Sequence, residues 1–490
     1  MPDASPRLPF EIDDAVDPSF VTGRAGVPLV IELFRQLGVA ATINAEVALK
    51  QRQRGLPPSQ VIESLIALWA SGGDRCQDLA MRRKDEALAT LLRHPLPAAT
   101  TMRDFLEAFH VEGGPRWTAG PAATIPLESA PLAGLGRANR TLVAGLQRGA
   151  RERTATLDVD ATLVESHKDA ATVAYDGTRG YQPVLVLWAE QDVILHDQFR
   201  DGHVPAGCGN VRVLERAVAN LPQGITQICL RADSALYETD VLRWCEARDH
   251  SIAYAISADL SEQLRAEIIR LPEATWRVER EEPEAIRAWA EVPYVPDDGD
   301  HRKDRPCVRR YLAVRVQKRQ GSLFADGSSV HYFALVTNRP EDDLALLQWH
   351  REKAGTVEHT HHVLKNELAA AALPSGKCGA NAAWFRLNVL TYNLLSALKR
   401  LTLPGDLRTA RPKRLRFLLF NTVGQFIAHA RRTLLRLSGA LQHALLVGSA
   451  GKSSGSRRLS RRLGRRQLRR PPLWHNDVGP LRLDTAGCSA

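Results

Sequence analysis

The chain alternates strictly between polar and apolar residues from Thr154 to Leu163. This period of two is typical of a β-strand with one apolar face, whereas a helix needs apolar residues three or four positions apart. Asp158 and Asp160 are two positions apart on the polar side of the pattern, so they share one face of the predicted strand. The segment therefore predicts a half-buried strand that carries two carboxylates.

Predicted strands and helices alternate after this segment. A hairpin is predicted first, and helix, strand, helix and strand follow it. The segments are 180–188 and 192–199 for the hairpin, 211–221 and 239–248 for the helices, and 227–232 and 252–256 for the strands. An antiparallel hairpin followed by α/β alternation predicts a mixed sheet with helices on its faces.

The regions on either side of this α/β segment have different patterns. Residues 27–111 have helical spacing, and the Gly- and Pro-rich stretch 113–136 is typical of a linker. From 276 to 338 the helical signal is lost, which indicates an inserted β region. A long helical pattern resumes at residue 341, and everything from there to residue 446 is predicted to be helix or loop. The basic stretch 451–470 has the composition of a disordered segment.

The net charge of +10 is distributed very unevenly. Residues 376–470 contain 21 Lys and Arg but one acid, Asp406, so this block carries +20 and the rest of the chain −10. Such a block favours a polyanion, most often nucleic acid, because neutralised phosphates release their counterions. The alternative is a solvated arginine-rich face, which leaves the shortage of acids unexplained.

Composition argues against secreted and membrane classes. The seven cysteines are scattered and no two are spaced as a CxxC pair, which is unlike a disulfide framework or a cysteine zinc site. Four acids within the first 14 residues are unlike a signal peptide, and no window approaches the roughly 18 apolar residues of a membrane span. We expect a cytoplasmic, nucleoid-associated protein with no membrane partner.

Acidic residues lie where a mixed sheet collects ligands. Asp233 ends the predicted strand 227–232, and Asp158 and Asp160 lie on the strand that begins at Thr154. Ligands gather at the carboxyl ends of adjacent strands, and Mg²⁺ prefers carboxylate oxygens completed by substrate phosphate. The alternative for each aspartate alone is a turn or helix-capping role.

A helical segment near residue 358 carries further charge. Arg351, Glu358 and Lys365 are seven residues apart, which predicts one shared helix face with a carboxylate between two cations. Glu358 would then complete a three-carboxylate site, and the two cations would contact a nucleic-acid backbone. The alternative is an exposed helix of mixed charge.

The neighbouring histidines do not have the order of a zinc-protease helix. They are His359, His361 and His362. We interpret them as a solvated or backbone-contacting cluster rather than a zinc site.

Three segments carry a resemblance to a known family. They are Leu157-Asp158-Val159-Asp160-Ala161-Thr162-Leu163-Val164-Glu165, Gly180-Tyr181-Gln182-Pro183 and Leu230-Arg231-Ala232-Asp233-Ser234. Together they resemble the DDE transposases of bacterial insertion sequences, and within these the IS-thirteen-eighty group, which is related to the IS-four group. The resemblance extends from about Gly26 to Thr402.

The resemblance implies an α/β, RNase H-like catalytic core with a β-strand insertion before its last catalytic helix. The residue patterns and the resemblance together predict six regions: an acidic leader (1–26), a helical, DNA-binding domain with its linker (27–150), the first part of the core (151–275), the insertion (276–340), the closing helices (341–402), and a basic helical region with a disordered tail (403–490).

The resemblance also implies the site residues. Asp160, Asp233 and Glu358 would bind two Mg²⁺ ions, or Mn²⁺ in their place, with Asp158 as the alternative to Asp160. The family's helix reads Tyr, two residues, Arg, three residues, Glu, six residues, Lys. Glu358 and Lys365 fit this motif, whereas Arg351 and Ala354 stand at its Tyr and Arg positions.

The predicted function is metal-dependent DNA cleavage and strand transfer for an insertion-sequence element. Its predicted partners are double-stranded element ends and target DNA, bound by a dimer or larger assembly. Two alternatives are a catalytically decayed copy that acts as a DNA-binding repressor, favoured by Arg351 and Ala354, and a general RNase H-like nuclease.

Overall fold

A computed structural model of the chain describes residues 17, 19–49, 55–120, 123–147, 152–247, 251–296, 309–319, 323–429 and 432–437. Most of the predicted acidic leader and all of the basic stretch 451–470 lie outside the described residues. So do Cys307 and Cys488.

Helices dominate the N-terminal part of the chain. After the short strand β1 (Val21–Thr22) come α1 (Val27–Gln36), α2 (Val39–Glu46), α3 (Pro58–Ala70), α4 (Leu79–Arg82), α5 (Glu86–Leu92) and α6 (Ala99–Glu107). Prolines in the first turns of α1 and α3 suit these helix starts, because the missing N–H has no partner there in any case. The helical pattern predicted for 27–111 is confirmed.

The linker predicted at 113–136 is wrong. The structure has a hairpin there, β2 (Arg116–Gly120) and β3 (Ala123–Pro126), followed by the first turns of α7 (Ala130–Leu146). Gly134 packs so closely on the backbone of α2 that an added Cβ would lie 2.4 Å from the Glu46 carbonyl oxygen. This glycine therefore permits helix packing rather than chain flexibility.

A mixed sheet of nine strands forms the centre of the molecule. Its members are β4 (Thr154–Ala161), β8 (Val184–Trp188), β9 (Val193–Gln198), β10 (Gln227–Ala232), β11 (Ala253–Ala258), β12 (Arg277–Glu281), β13 (Ala285–Val292), β14 (Arg310–Lys318) and β15 (Val330–Thr337). Their order is β12-β13-β14-β15-β11-β10-β4-β8-β9. Strands β4, β10 and β11 run parallel and the other neighbours are antiparallel, so the predicted mixed α/β sheet is confirmed.

The inserted β region continues the central sheet. Strands β12 to β15 extend it from the edge of β11. A small separate sheet contains β5 (Val164–Glu165), β6 (Thr172–Val173) and β7 (Arg179–Tyr181), and the intervening helices are α8 (Asn210–Ala219), α9 (Thr239–Glu246) and α10 (Glu262–Arg270).

The chain returns to helices after the sheet. These are α11 (Asp343–Arg351), a π-helical turn (Ala354–Glu358), α12 (His359–Glu367), α13 (Cys378–Leu401) and α14 (Pro412–Leu415), which a second π-helical turn follows (Arg416–Phe420). Most of α13 is buried, and its Trp384 packs edge-on against Trp69 of α3 with ring centroids 4.8 Å apart. Helix α13 thus joins the N-terminal helices to the sheet.

The prediction of helix or loop as far as residue 446 is wrong for the segment around residues 424–437. Strands β16 (Gly424–His429) and β17 (Arg432–Leu437) form an antiparallel pair there, and β16 also pairs with β1. Pairing with a strand about 400 residues earlier in the chain overrides the local helical pattern.

Among the described residues, no single helix is long and apolar enough to cross a membrane. One bent pair, α1 with α2, meets the criteria of length and composition when the two helices are taken together.

Candidate active site

Adjacent parallel strands bring Asp160 and Asp233 together. In the register of β4 and β10, Val159 pairs with Ala232, so the next positions along the two strands are Asp160 and Asp233. Asp233 also caps the following turn, because its Oδ1 accepts the Ala235 N–H at 3.1 Å. The two carboxylates therefore lie at the carboxyl ends of neighbouring strands, where α/β sheets collect ligands.

Asp158 has different partners from Asp160 although both lie on β4. Its carboxylate is fully buried and accepts two hydrogen bonds from the Arg231 guanidinium, at 2.6 and 2.9 Å. The hydroxyl of Thr356 donates to the same carboxylate. Arg231 in turn donates to the Trp349 carbonyl at 2.7 Å and to Glu352 at 2.9 Å, which ties α11 to the sheet. Asp158 is thus fully engaged in a buried ion pair.

Two side chains from the helical segment lie against the Asp160 carboxylate. Lys353 Nζ is 3.5 Å from Oδ1 of Asp160 and 3.9 Å from Oδ2 of Asp233. His361 Nε2 is 3.6 Å from Oδ2 of Asp160. Lys353 and His361 are both buried and Asp160 is mostly buried, whereas the Asp233 side chain is 45% exposed, so the acidic pair faces one ammonium group and one imidazole on its buried side.

The electrostatics of this cluster follow from burial. Burial raises the pKa of Asp160 to about 7; the Lys353 ammonium opposes this shift and the Asp233 carboxylate adds to it. Burial lowers the pKa of His361 to about 3, and the ammonium groups of Lys365 and Lys353 lower it further. The His361 ring is therefore neutral at pH 7, and its contact with Asp160 is not an ion pair.

Glu358 lies at the end of the π-helical turn, with its side chain exposed. It precedes by three residues His361, which contacts Asp160, so it lies within one helical turn of His361. Within the described ranges, no three His, Cys, Asp or Glu side chains are grouped so that they could hold a metal ion. The structure thus brings Asp160 and Asp233 together and does not add Glu358 to them.

The two predicted DNA-contacting cations have protein partners. Arg351 donates to both carboxylate oxygens of Glu279 on β12, one of them at 2.7 Å. Lys365 donates to the Thr162 hydroxyl at 3.0 Å and to the Leu163 carbonyl at 3.4 Å. Burial lowers the pKa of Lys365, and the charge of Asp160 opposes this shift.

Two residues of this cluster, Lys353 and His361, are absent from the set of site residues predicted from the sequence. A spacing of four residues, rather than seven, identifies them. Lys353, Val357, His361 and Lys365 follow this spacing, and their side chains are buried or half-buried, whereas the side chain of Glu358 is exposed. The π-helical turn begins directly after Lys353 and changes the helical register, so a seven-residue count across it does not follow one face.

A basic cavity of about 410 Å³ lies beside the π-helical turn. Its polar lining includes Thr356, His359, Asp192, Lys399, Arg400, Arg408 and Arg411. Lys399 pairs with Asp192 at 3.1 Å and Arg411 pairs with Glu367. Four cations against one acid give this cavity a positive potential next to the segment that contacts the acidic pair.

In comparisons with family models, solved structures and curated proteins, one family model matches most of the chain. Residues 11–452 match the family model described as "Transposase DDE domain group 1". A cryo-EM structure of the piggyBac transposase synaptic complex with hairpin DNA is similar with a TM-score of 0.42 and 11% identity, over 76% of this chain and 74% of that chain. No curated protein matches the chain significantly.

Proposed function

The chain belongs to the transposase DDE domain group 1 family, and we propose that it cuts and rejoins DNA at the ends of its own mobile element in a metal-dependent reaction. The observation that carries this proposal is the pairing of Asp160 with Asp233 at the ends of adjacent parallel strands. The order β9-β8-β4-β10-β11 supports an RNase H-like core. Membership of the IS-thirteen-eighty group stays a prediction.

The chemistry of the acidic pair fits a divalent cation. The two carboxylates are close enough for Asp233 to add to the raised pKa of Asp160, so a second negative charge beside the buried Asp160 is unfavourable without a cation. Carboxylate oxygens are the ligands that Mg²⁺ and Mn²⁺ accept. Asp160 and Asp233 would hold the ions, and Glu358, one helical turn before His361, would complete the set.

Bound divalent ions would supply Lewis-acid stabilisation of a phosphoryl oxygen and activation of a nucleophile. The protein residues orient this chemistry. The buried Arg231 pairs with Asp158 and bonds to Trp349 and Glu352, so it fixes the helical segment against β4. This bracing keeps the Glu358 turn near the strand ends.

DNA would approach along the basic side of the site. The cavity lined by Lys399, Arg408 and Arg411 borders the π-helical turn, and Phe417, 82% exposed, lies six residues after Arg411. Cations contact the phosphates of a strand, and an exposed aromatic ring offers a surface on which a base can stack. Binding of two element ends by a dimer or larger assembly is part of this proposal.

The test is a cleavage assay with a duplex that spans the element boundary, with and without Mg²⁺. We expect the wild-type chain to nick at the boundary, and Asp160→Asn and Glu358→Gln to bind the duplex without nicking it. Matched controls are Asp240→Asn and Glu215→Gln, which change exposed acids on α9 and α8 and should nick normally.

Two outcomes would contradict the proposal. Binding of the ends by the wild-type chain without any nicking would favour a repressor. Nicking that does not depend on the element boundary would favour a general nuclease.

A further inference from the structure

The ammonium group of Lys353 lies where a cation between Asp160 and Asp233 would lie. It is 3.5 Å from one carboxylate and 3.9 Å from the other, and its side chain is 8% exposed. Neither distance is that of a short hydrogen bond. The ammonium is therefore shared by the two carboxylates as a common counter-ion.

The local backbone explains how lysine reaches this position. Lys353 directly precedes the π-helical turn Ala354–Glu358. A π-helical turn spans five residues where an α-helical turn spans four, so it shifts the register of the side chains that follow Lys353. Single π-turns inside α-helices occur frequently at functional sites. Here Lys353, directly before the turn, lies against the acidic pair, and Glu358, the last residue of the turn, is exposed.

Without a cation, the acidic pair would be unfavourable. Two carboxylates on neighbouring strand ends repel each other, and the burial of Asp160, whose side chain is 15% exposed, strengthens this repulsion. A lysine suits the position because its charge is compact and its four-carbon side chain is flexible, so it can move without disturbing the backbone.

We propose that Lys353 is a built-in counter-ion, which occupies the cation position between Asp160 and Asp233 in the metal-free protein and is displaced when a divalent ion binds. This inference rests on the proposed function, because it takes the acidic pair to be the metal site. It assigns Lys353 a role that lowers metal affinity while it stabilises the metal-free fold. Lys353 thereby sets the concentration of metal at which the site fills.

The experiment measures Mn²⁺ affinity in the absence of DNA, by the loss of the electron paramagnetic resonance signal of free Mn²⁺. The proteins are the full-length wild type and the variants Lys353→Met, Lys353→Gln, Lys353→Arg and Asp160→Asn. Lys84→Met, which removes an exposed lysine in the turn between α4 and α5, is the control for net charge. Thermal unfolding in EDTA and in Mn²⁺ is recorded for each protein.

We expect Lys353→Met and Lys353→Gln to bind Mn²⁺ several-fold more tightly than the wild type, because the competing cation is gone. In EDTA, both variants should unfold at a lower temperature than the wild type. Mn²⁺ should raise their unfolding temperatures by more than it raises that of the wild type. Lys353→Arg and Lys84→Met should keep the wild-type affinity or lie close to it. Asp160→Asn should lose the binding.

Different results would contradict the counter-ion role of Lys353 and the metal site at Asp160 and Asp233. If Asp160→Asn abolishes Mn²⁺ binding but neither neutral Lys353 variant binds more tightly than the wild type, the counter-ion role is wrong and the metal site stands. If neither the wild type nor the Lys353 variants bind Mn²⁺, the metal site and the counter-ion role are both wrong.

Discussion

At the scale of single residues, Asp158 and Asp160 show how two identical side chains on one strand face acquire different roles. Asp158 is enclosed by Arg231 and Thr356, whereas Asp160 lies beside Asp233 and Lys353. The alternating sequence predicts that both face the same way. It does not reveal which of the two carboxylates pairs with an arginine, because Arg231 comes from another strand, 73 residues later in the chain.

The two aspartates should therefore respond differently to neutralisation. Asp158→Asn breaks a buried ion pair, so we expect it to lower the free energy of unfolding by about 3–5 kcal/mol. Asp160→Asn removes a carboxylate from a crowded acidic pair, so the metal-free protein should keep its stability while cleavage is lost. Urea denaturation with Asp240→Asn as control measures the first effect. Equal destabilisation by the two substitutions would contradict the assignment.

Lys365 allows a second test at this scale. The sequence predicts a phosphate contact, and in the structure its ammonium donates to Thr162 and Leu163. If it contacts phosphate, Lys365→Ala should weaken DNA binding by about 1.5–3 kcal/mol, the range for a charged hydrogen bond, and leave stability nearly unchanged. DNA-binding titrations and denaturation of the same variant separate the two roles. A loss of stability without a loss of affinity would show that Lys365 only anchors α12.

At the scale of elements, the sequence predicts structure well where the pattern is strong and the partner is near in the chain. Strand β10 has the bounds predicted for it, 227–232, because alternating and apolar strands in a βα segment pair with neighbouring strands. The hairpin β16–β17 and the π-helical turn Ala354–Glu358 were not predicted. The hairpin depends on pairing with the distant β1, and the π-helical turn packs against β4 and β8, about 200 residues earlier in the chain. Neither kind of contact leaves a local periodicity.

The buried guanidinium of Arg386 connects three elements. On α13, it bonds to Asp197 of β9 at 2.9 Å, to Glu128 before α7 at 2.9 Å and to the Leu132 carbonyl at 3.0 Å. Although burial alone would raise the pKa of Glu128, Arg386 and Arg216 lower it to about 2. These ion pairs hold the N-terminal helices against the sheet.

The stabilisation from Glu128 should depend on pH. Its pKa is lower in the folded chain than in the unfolded one, so its contribution is complete above about pH 4.5 and is lost as the pH falls towards 2. Glu128→Gln should therefore cost up to about 3 kcal/mol at pH 7, and the difference from the wild type should shrink below pH 4.5. Urea denaturation between pH 3 and 7 checks this. A difference that does not change with pH would contradict an ionic role.

At the scale of the whole molecule, the central sheet carries the acidic pair and the C-terminal part of the chain carries the positive charge. The carboxylates at the strand ends and the basic cavity lie on either side of one helical segment. The sequence predicts this division from its charge distribution and its strand order. It does not predict that the inserted strands continue the central sheet, because apolar pattern alone does not specify which edge a strand joins.

Removal of the basic stretch 451–470 tests whether the positively charged C-terminal part of the chain contacts DNA phosphates. It carries nine cations, so its removal should make the log–log salt dependence of DNA binding shallower, by up to about 0.9 per lost phosphate contact. Binding titrations of the full and truncated chains at several salt concentrations measure the slope. An unchanged slope would show that this stretch does not contact DNA.

The most direct measurement of the central claim is cleavage of the polypeptide by Fe²⁺ bound in place of Mg²⁺. With ascorbate and peroxide, bound iron generates radicals that cut the chain close to the metal, and mass spectrometry locates the cuts. The account predicts cuts near residues 160, 233 and 358, suppressed by excess Mg²⁺ and absent in Asp160→Asn. Cuts at other positions, or cuts near 160 and 233 without any near 358, would contradict the three-carboxylate site.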